Sequence, residues 1–209
     1  MVIVIDGTSG SGKSTVAKAL ARHYGFVHVD TGAMYRAVTW YCLQRGVNCN
    51  DAAAVERAMR GMTSEFHLVE GRIVMLVEGS DPGEALRSEA VAQNVSLVAR
   101  IPGVRSWLVA QQRGLLRFGS LVMEGRDIGS VVFPDTPFKF YVDADSAVRE
   151  SRRAGDGYRD QVTRRDQLDS TRAVSPLVAV PGAFFVDTSR NTPQQTAAVV
   201  QAELKRRGL

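Results

Sequence analysis

The sequence predicts an α/β protein, a mostly parallel sheet covered by helices, on three observations. Short apolar runs alternate along the chain with longer stretches of helical period. The runs are rich in β-branched and aromatic residues, as strands buried on both faces are. Four of the five clearest runs end in Asp and the fifth in Glu-Gly. Ligands of open α/β sheets gather at the carboxyl ends of strands, so these acids are candidates to ring a site. N-capping of the following helix explains most of them equally well.

In chain order, "VIVID" (Val2–Asp6) reads as the first strand and "STVAKALARHYG" as the helix behind it. "FVHVD" (Phe26–Asp30) is the second strand. Ala33–Arg45 and Asp51–Arg60 are helical in period, with Gly46 and Gly61 just past their ends. "EFHLVEGRIVMLVEG" (Glu65–Gly79) breaks the alternation and reads as a hairpin turning at Glu70-Gly71, in a small inserted lobe. Two helices follow, "SEAVAQNVSLVARI" and "VRSWLVAQQRGLLRF", separated by Pro102-Gly103. "SLVMEG" (Ser120–Gly125), "FKFYVD" (Phe138–Asp143) and "AFFVD" (Ala183–Asp187) are the remaining strands, and a last helix runs from about Pro193 to Arg207. The length, 209 residues, suits one domain with small appendages.

Composition narrows the class. No apolar run approaches the ~18 residues of a membrane span, and no basic segment precedes an apolar stretch as in a secretory signal. Cys42 and Cys49 are too few for a disulfide framework and read as idle thiols in a reducing cytoplasm. The net charge is +4, and 22 of the 26 basic residues are arginine. Arginine forks onto carboxylate and phosphate with paired hydrogen bonds. The charge alone also permits nucleic-acid binding, but aromatics are not interleaved with the basic residues.

The strongest motif is "GTSGSGKS", Gly7–Ser14, which fits G-x-x-x-x-G-K-[ST] between a strand and a helix. Gly7, Gly10 and Gly12, with Thr8, Ser9 and Ser11 between them, allow a tight loop whose N–H groups turn inward on an anion. Lys13 can bridge the β- and γ-phosphates of a nucleoside triphosphate, and the Ser14 hydroxyl, beside Thr15, can ligate magnesium. Neither N/T-K-x-D nor D-x-x-G is present, which argues against a GTPase switch. Size and the inserted lobe favour a kinase of a small molecule.

A second charged cluster lies in "SLVMEGRDIGSVVF", Ser120–Phe133. Glu124, Arg126 and Asp127 arrive at the end of an apolar strand. Charges so placed need partners, and substrates can be those partners.

"DGTSGSGKST", "DTGAMYR", "EGRDIGSVVFP" and "DSTRAVSPL", in this order, resemble the bacterial cytidylate kinase family of nucleoside monophosphate kinases, from Ile3 to about Thr188. The resemblance implies a three-layer P-loop fold with a five-stranded parallel sheet, an inserted monophosphate-binding lobe carrying the β-hairpin, and a short helical lid. It divides a single domain into a core (1–32, 102–148 and 173–209), a lobe (about 33–101, with the hairpin insert at 63–90) and a lid (about 149–170). It implies transfer of the γ-phosphate of ATP to CMP or dCMP with Mg2+ by a cytoplasmic monomer, with no nucleic-acid partner. Thr31, Tyr35 and Arg36 would line the monophosphate pocket, and Ser96, Arg105 and Asp127 would read the cytosine edge. Arg126 and Arg172 would act with Lys13 on phosphate, Arg165 and Asp169 would touch the sugar, and Arg153 would contact the donor base. Glu124 would serve the magnesium shell with Ser14, or be an internal salt bridge to a lid arginine. The alternatives are a P-loop kinase of another small metabolite and, behind it, a nucleotide-dependent nucleic-acid-binding protein.

The chemistry agrees with these assignments. ATP and a monophosphate together carry about six negative charges, so arginines and a cation must bring them together. An ionised Asp127 accepts from the cytosine amino group and repels the uracil carbonyl. Thr8 stands where the family usually has proline and Ser14 where many members have glycine. The segment between Arg153 and Arg165 is shorter than in longer members. His23, His28 and His67 match no role and read as structural.

Overall fold

The computed structural model describes residues 1–155 and 180–209. Its strands are β1 (Val2–Gly7), β2 (Val27–Asp30), β3 (Ser64–Val69), β4 (Arg72–Val77), β5 (Leu121–Gly125), β6 (Lys139–Asp143) and β7 (Phe184–Asp187). They form one sheet in the order β3-β4-β2-β5-β1-β6-β7. The five strands read from the apolar runs make its parallel core, β2-β5-β1-β6-β7.

The hairpin extends this core of five parallel strands. It does not stand apart: β4 joins β2 in parallel at His28↔Arg72, and the His28 N–H donates to the Gly71 carbonyl at 2.8 Å. β3 then pairs antiparallel with β4, bringing the sheet to seven. Without this addition β2 would leave an open row of backbone groups at the sheet edge. The turn works because Glu70 (φ 49°) and Gly71 (φ 75°) both take left-handed conformations, as a two-residue hairpin turn demands.

The helices are α1 (Lys13–Tyr24), α2 (Thr31–Gln44), α3 (Ala52–Arg60), α4 (Glu89–Ala99), α5 (Pro102–Gly114), α6 (Ser146–Gly155) and α7 (Pro193–Arg206). Their starts follow local chemistry. The Asp30 and Asp51 carboxylates accept the Ala33 and Ala54 N–H groups, and Thr192 with Gln195 forms a capping box. Pro102, read as a break, opens α5 instead, since a first-turn residue needs no N–H.

Two apolar layers sandwich the sheet. Ile3 and Ile5 pack with Val122, Phe140, α1 (Val16, Leu20) and α7 (Val200, Leu204). Val2 and Val4, one pleat out of phase, pack with Met123, α2 (Met34, Val38), α4 (Val95, Val98) and α5 (Val104, Leu108). Each fully buried Val, Ile or Leu contributes about 1.5–3 kcal/mol. The rigid result holds the carboxyl ends of β1, β2 and β5 at one edge of the sheet. No helix among the described residues is long and apolar enough to cross a membrane.

Candidate active site

The glycine-rich loop leaves β1 and enters α1 at Gly12, whose φ of 85° only glycine adopts readily. A side chain at Gly7 would put its Cβ 2.0 Å from the Val142 carbonyl oxygen, so glycine there lets β6 pass close. Lys13 Nζ donates to the Thr8 carbonyl at 3.0 Å, and Ser11 Oγ donates to the same oxygen at 2.9 Å. Arginines of α6 hold the loop and its neighbour Thr188. Arg149 Nη1 donates to the Ser9 carbonyl at 3.2 Å. Arg152 donates to the Thr188 hydroxyl and carbonyl at 2.9 and 2.8 Å, and that hydroxyl donates on to the Ser11 carbonyl at 2.8 Å. Engaging the loop's carbonyls favours a loop that leaves its N–H groups to bind an anion. Thr8 adds a tie of its own: its hydroxyl donates to Asp143 Oδ1 at 2.5 Å.

At the end of β5 the three charges have partners. Glu124, 2% exposed, accepts from Ser14 Oγ through Oε2 at 2.5 Å and lies 3.0 Å from His28 Nε2 through Oε1. Among the described residues the Glu124 carboxylate has Ser14 and His28 as its partners. Arg126 Nη1 donates to the Gly7 carbonyl at 2.8 Å, tying this turn to the phosphate loop. Asp127 is buried and accepts from Arg105 Nη2. Arg105 is itself 2% exposed and donates from Nη1 to the Ala99 carbonyl at 3.0 Å.

Asp6 holds this turn in place. Its two carboxylate oxygens accept the N–H groups of Ile128 and Gly129 at 3.0 and 2.7 Å. The backbone after Asp127 winds as one π-helical turn, Ile128–Val132. Burial pushes the Asp6 carboxyl up to about 6, against the two amides, which lower it; the nearby Asp127 raises it and Arg126 lowers it.

A further group of polar and charged residues is built on the start of α2. Burial acts to raise the Asp30 carboxyl, but the Arg36 guanidinium, the Ala33 N–H and His28 outweigh it and hold it at about 2. Arg36 Nη2 donates to Asp30 Oδ2 at 2.7 Å. Arg36 Nε is buried without a partner among the described residues. Thr31 Oγ1 donates to the Glu124 carbonyl at 2.7 Å, which fixes the start of α2 to the end of β5.

One cavity of about 780 Å3 joins these parts. From the phosphate loop, Ser9, Gly10, Gly12, Lys13, Ser14 and Thr15 line it. Thr31, Tyr35, Arg36 and Ser96 form the opposite wall, Glu124, Arg126 and Asp127 the floor, and Arg153 the rim. Gly7, Thr8, Ser11 and Arg105 do not line it. Arg105 is buried beneath the cavity surface and pairs with Asp127. A buried carboxylate needs a buried cation or donors to offset its lost hydration. Arg165, Asp169, Arg172 and most of the expected lid lie outside the described residues.

Sequence reasoning gives no role to Asp6, His28, Arg149, Arg152 or Thr188. Asp6 is visible there only as one strand-end acid among several, and the two arginines only as part of an arginine-rich stretch. Magnesium takes hard oxygen ligands and keeps several waters. A hydroxyl and a carboxylate oxygen converging beside a phosphate loop, as Ser14 and Glu124 do, fit that ion.

A strand–loop–helix turn with a lysine in it, opening on a cavity that Arg36 and Arg126 also line, fits a nucleoside-triphosphate-dependent phosphotransferase of the P-loop class. A solved unliganded sugar kinase from a Janibacter species shares the fold, with a TM-score of 0.50 at 16% identity over 98% of this chain and 94% of that one. The chain belongs to the cytidylate kinase family, whose model matches residues 3–206. It is 39% identical to the cytidylate kinase of Pelotomaculum thermopropionicum over 97% of this chain and 95% of that protein. It is 44% identical to the cytidylate kinase of Mycobacterium avium, over 93% and 91%. It is also 44% identical to part of a bifunctional pantoate ligase/cytidylate kinase of Parasynechococcus marenigrum, over 85% of this chain and 38% of that protein.

Proposed function

We propose that this protein transfers the γ-phosphate of ATP to CMP and dCMP, with Mg2+, as a cytoplasmic monomer acting on small molecules. The observation that carries this reading is the floor of the cavity. Asp127, locked by Arg105, and Arg126, tied to Gly7, stand between the phosphate loop and the Thr31–Tyr35–Arg36 wall.

The loop and Lys13 take the donor's phosphates. Ser14 and Glu124 would hold magnesium, which neutralises charge on the β- and γ-phosphates when bound. Arg36 takes the acceptor phosphate, where an incoming oxygen would give its buried Nε an acceptor. Asp127 accepts from the cytosine amino group. Its fixed charge sets a uracil carbonyl against a carboxylate, which disfavours UMP by on the order of 10²-fold. Arg126 sits where the donor and acceptor phosphates meet, and stabilises the charge that develops there. Arg172 would join it, with Arg165 and Asp169 at the sugar and Arg153 toward the donor base. Little covalent chemistry is asked of the protein; alignment and charge stabilisation do the work.

A coupled ADP-release assay across CMP, dCMP, UMP, AMP and shikimate tests this. CMP and dCMP should lead. If UMP or AMP exceeds CMP tenfold, the base-reading argument fails; activity with shikimate and none with CMP would select a different acceptor class.

A further inference from the structure

The histidine on β2 has a use that its position in the sequence does not disclose. His28 is 7% exposed, and its backbone is fixed on both sides, by β4 at Arg72 and by β5 at Val122. Its Nε2 lies 3.0 Å from Glu124 Oε1. An ionised carboxylate only accepts hydrogen bonds, so Nε2 is the donor in this contact. On the same face of β2, two residues on, Asp30 is occupied by Arg36 and the Ala33 N–H. The imidazole is therefore committed to Glu124.

The two oxygens of Glu124 are thus divided. Oε1 is held by a residue from a strand interior, and Oε2 by Ser14 in the first turn of α1. A glutamate has three side-chain torsions, and its last one is soft. Anchoring Oε1 removes that freedom and leaves Oε2 turned toward Ser14 and the phosphate loop. We propose that His28 is a positioning residue for the magnesium-holding pair, fixing the Glu124 carboxylate so that Oε2 faces the metal and the triphosphate. This rests on the reading of Ser14 and Glu124 as the groups that hold magnesium. Partners behind a ligand typically change metal affinity by ~10–100-fold when removed.

The test reads binding rather than turnover. The affinity of the folded enzyme for a non-hydrolysable ATP analogue is measured by calorimetry with excess Mg2+ and again in EDTA, and the ratio is the metal's contribution. His28→Leu should reduce that ratio ~10-fold while leaving metal-free analogue binding and CMP binding unchanged. His28→Gln, which keeps an N–H donor, should restore the ratio to within about threefold of the parent protein. His28→Met, flexible enough to fill the space, is read in the same way if the leucine variant does not fold. Glu124→Gln separates the two layers of the argument. If it lowers the ratio while the apolar His28 variants do not, the positioning role is overturned and the metal assignment stands. If Glu124→Gln leaves the ratio unchanged, the metal assignment fails and the inference with it. Equal losses with and without Mg2+ in the His28 variants would mark the residue as structural and overturn the proposal.

Discussion

Asp127→Asn removes one charge from a buried pair and keeps the shape of the side chain. In the native protein Asp127 is 5% exposed and Arg105 2% exposed, and Arg105 has two described acceptors, Asp127 and the Ala99 carbonyl. The Arg105 Nε is buried without a partner among the described residues, so the guanidinium has little in reserve. Deleting one charge of a buried pair is destabilising by ~3–5 kcal/mol; the asparagine oxygen still accepts, which places this change near ~3 kcal/mol. For a protein of this size each kcal/mol moves Tm by ~2–4 °C, so a fall of roughly 6–12 °C is expected in a circular-dichroism melt. The same change removes the repulsion against uracil, so the CMP-to-UMP ratio of kcat/KM should drop by at least about tenfold. Arg105→Met combined with Asp127→Asn should recover much of the lost Tm, because no unpaired charge remains, but none of the base preference. A single variant that melts within about 2 °C of the parent and keeps its CMP-to-UMP ratio would refute both the energetic and the specificity argument.

Three further outcomes are expected. Arg126→Ala should lower kcat by ~10²-fold with a smaller change in the KM for CMP, since its charge is needed most as the phosphoryl group transfers; steady-state kinetics decide it. Asp6 should give stability a pH dependence. Its carboxyl is raised from 3.8 to about 6 when folded, so between those values the folded protein keeps a proton that the unfolded chain releases. Its contribution is complete below pH 3.8 and is lost as pH rises through 6, about 3 kcal/mol in all. Melts at about pH 5 and pH 7.5 should therefore differ less in Asp6→Asn than in the parent; parallel profiles would contradict this. Thr8→Val, which deletes the hydroxyl donated to Asp143, should destabilise by ~1 kcal/mol and raise the KM for ATP several-fold. An unchanged KM would mean that the tie does not stiffen the loop.

The retention of an ionisable Asp6 in so dry a place follows from its partners. A carboxylate accepts two N–H groups at once, and those of Ile128 and Gly129 set the turn that aims Arg126 and Asp127. Buried thiols show the opposite case. Burial pushes the Cys42 thiol up to about 11, with Cys49 adding to the effect, and leaves it chemically quiet.

Local chemistry makes much of this protein legible in its sequence. Apolar runs locate the five parallel strands, Glu70-Gly71 locates the hairpin, and the glycine, lysine and serine of the phosphate loop locate the anion site. Each of these depends on neighbours in the chain: a periodicity, a turn, or a run of N–H groups leading into a helix. The pairings across the chain depend on the fold. Asp6 meets backbone amides 122 and 123 residues away, Ser14 meets Glu124 across 110, and His28 meets Glu124 across 96. No spacing rule encodes such distances, because they arise when the sheet sets β1, β2 and β5 side by side. The same register makes the hairpin the sheet's edge and sets Arg105 beside Asp127 as its buried partner. Residue type carries the chemistry each group can perform. The burial and partners that select among those chemistries come into being only when distant strands share hydrogen bonds.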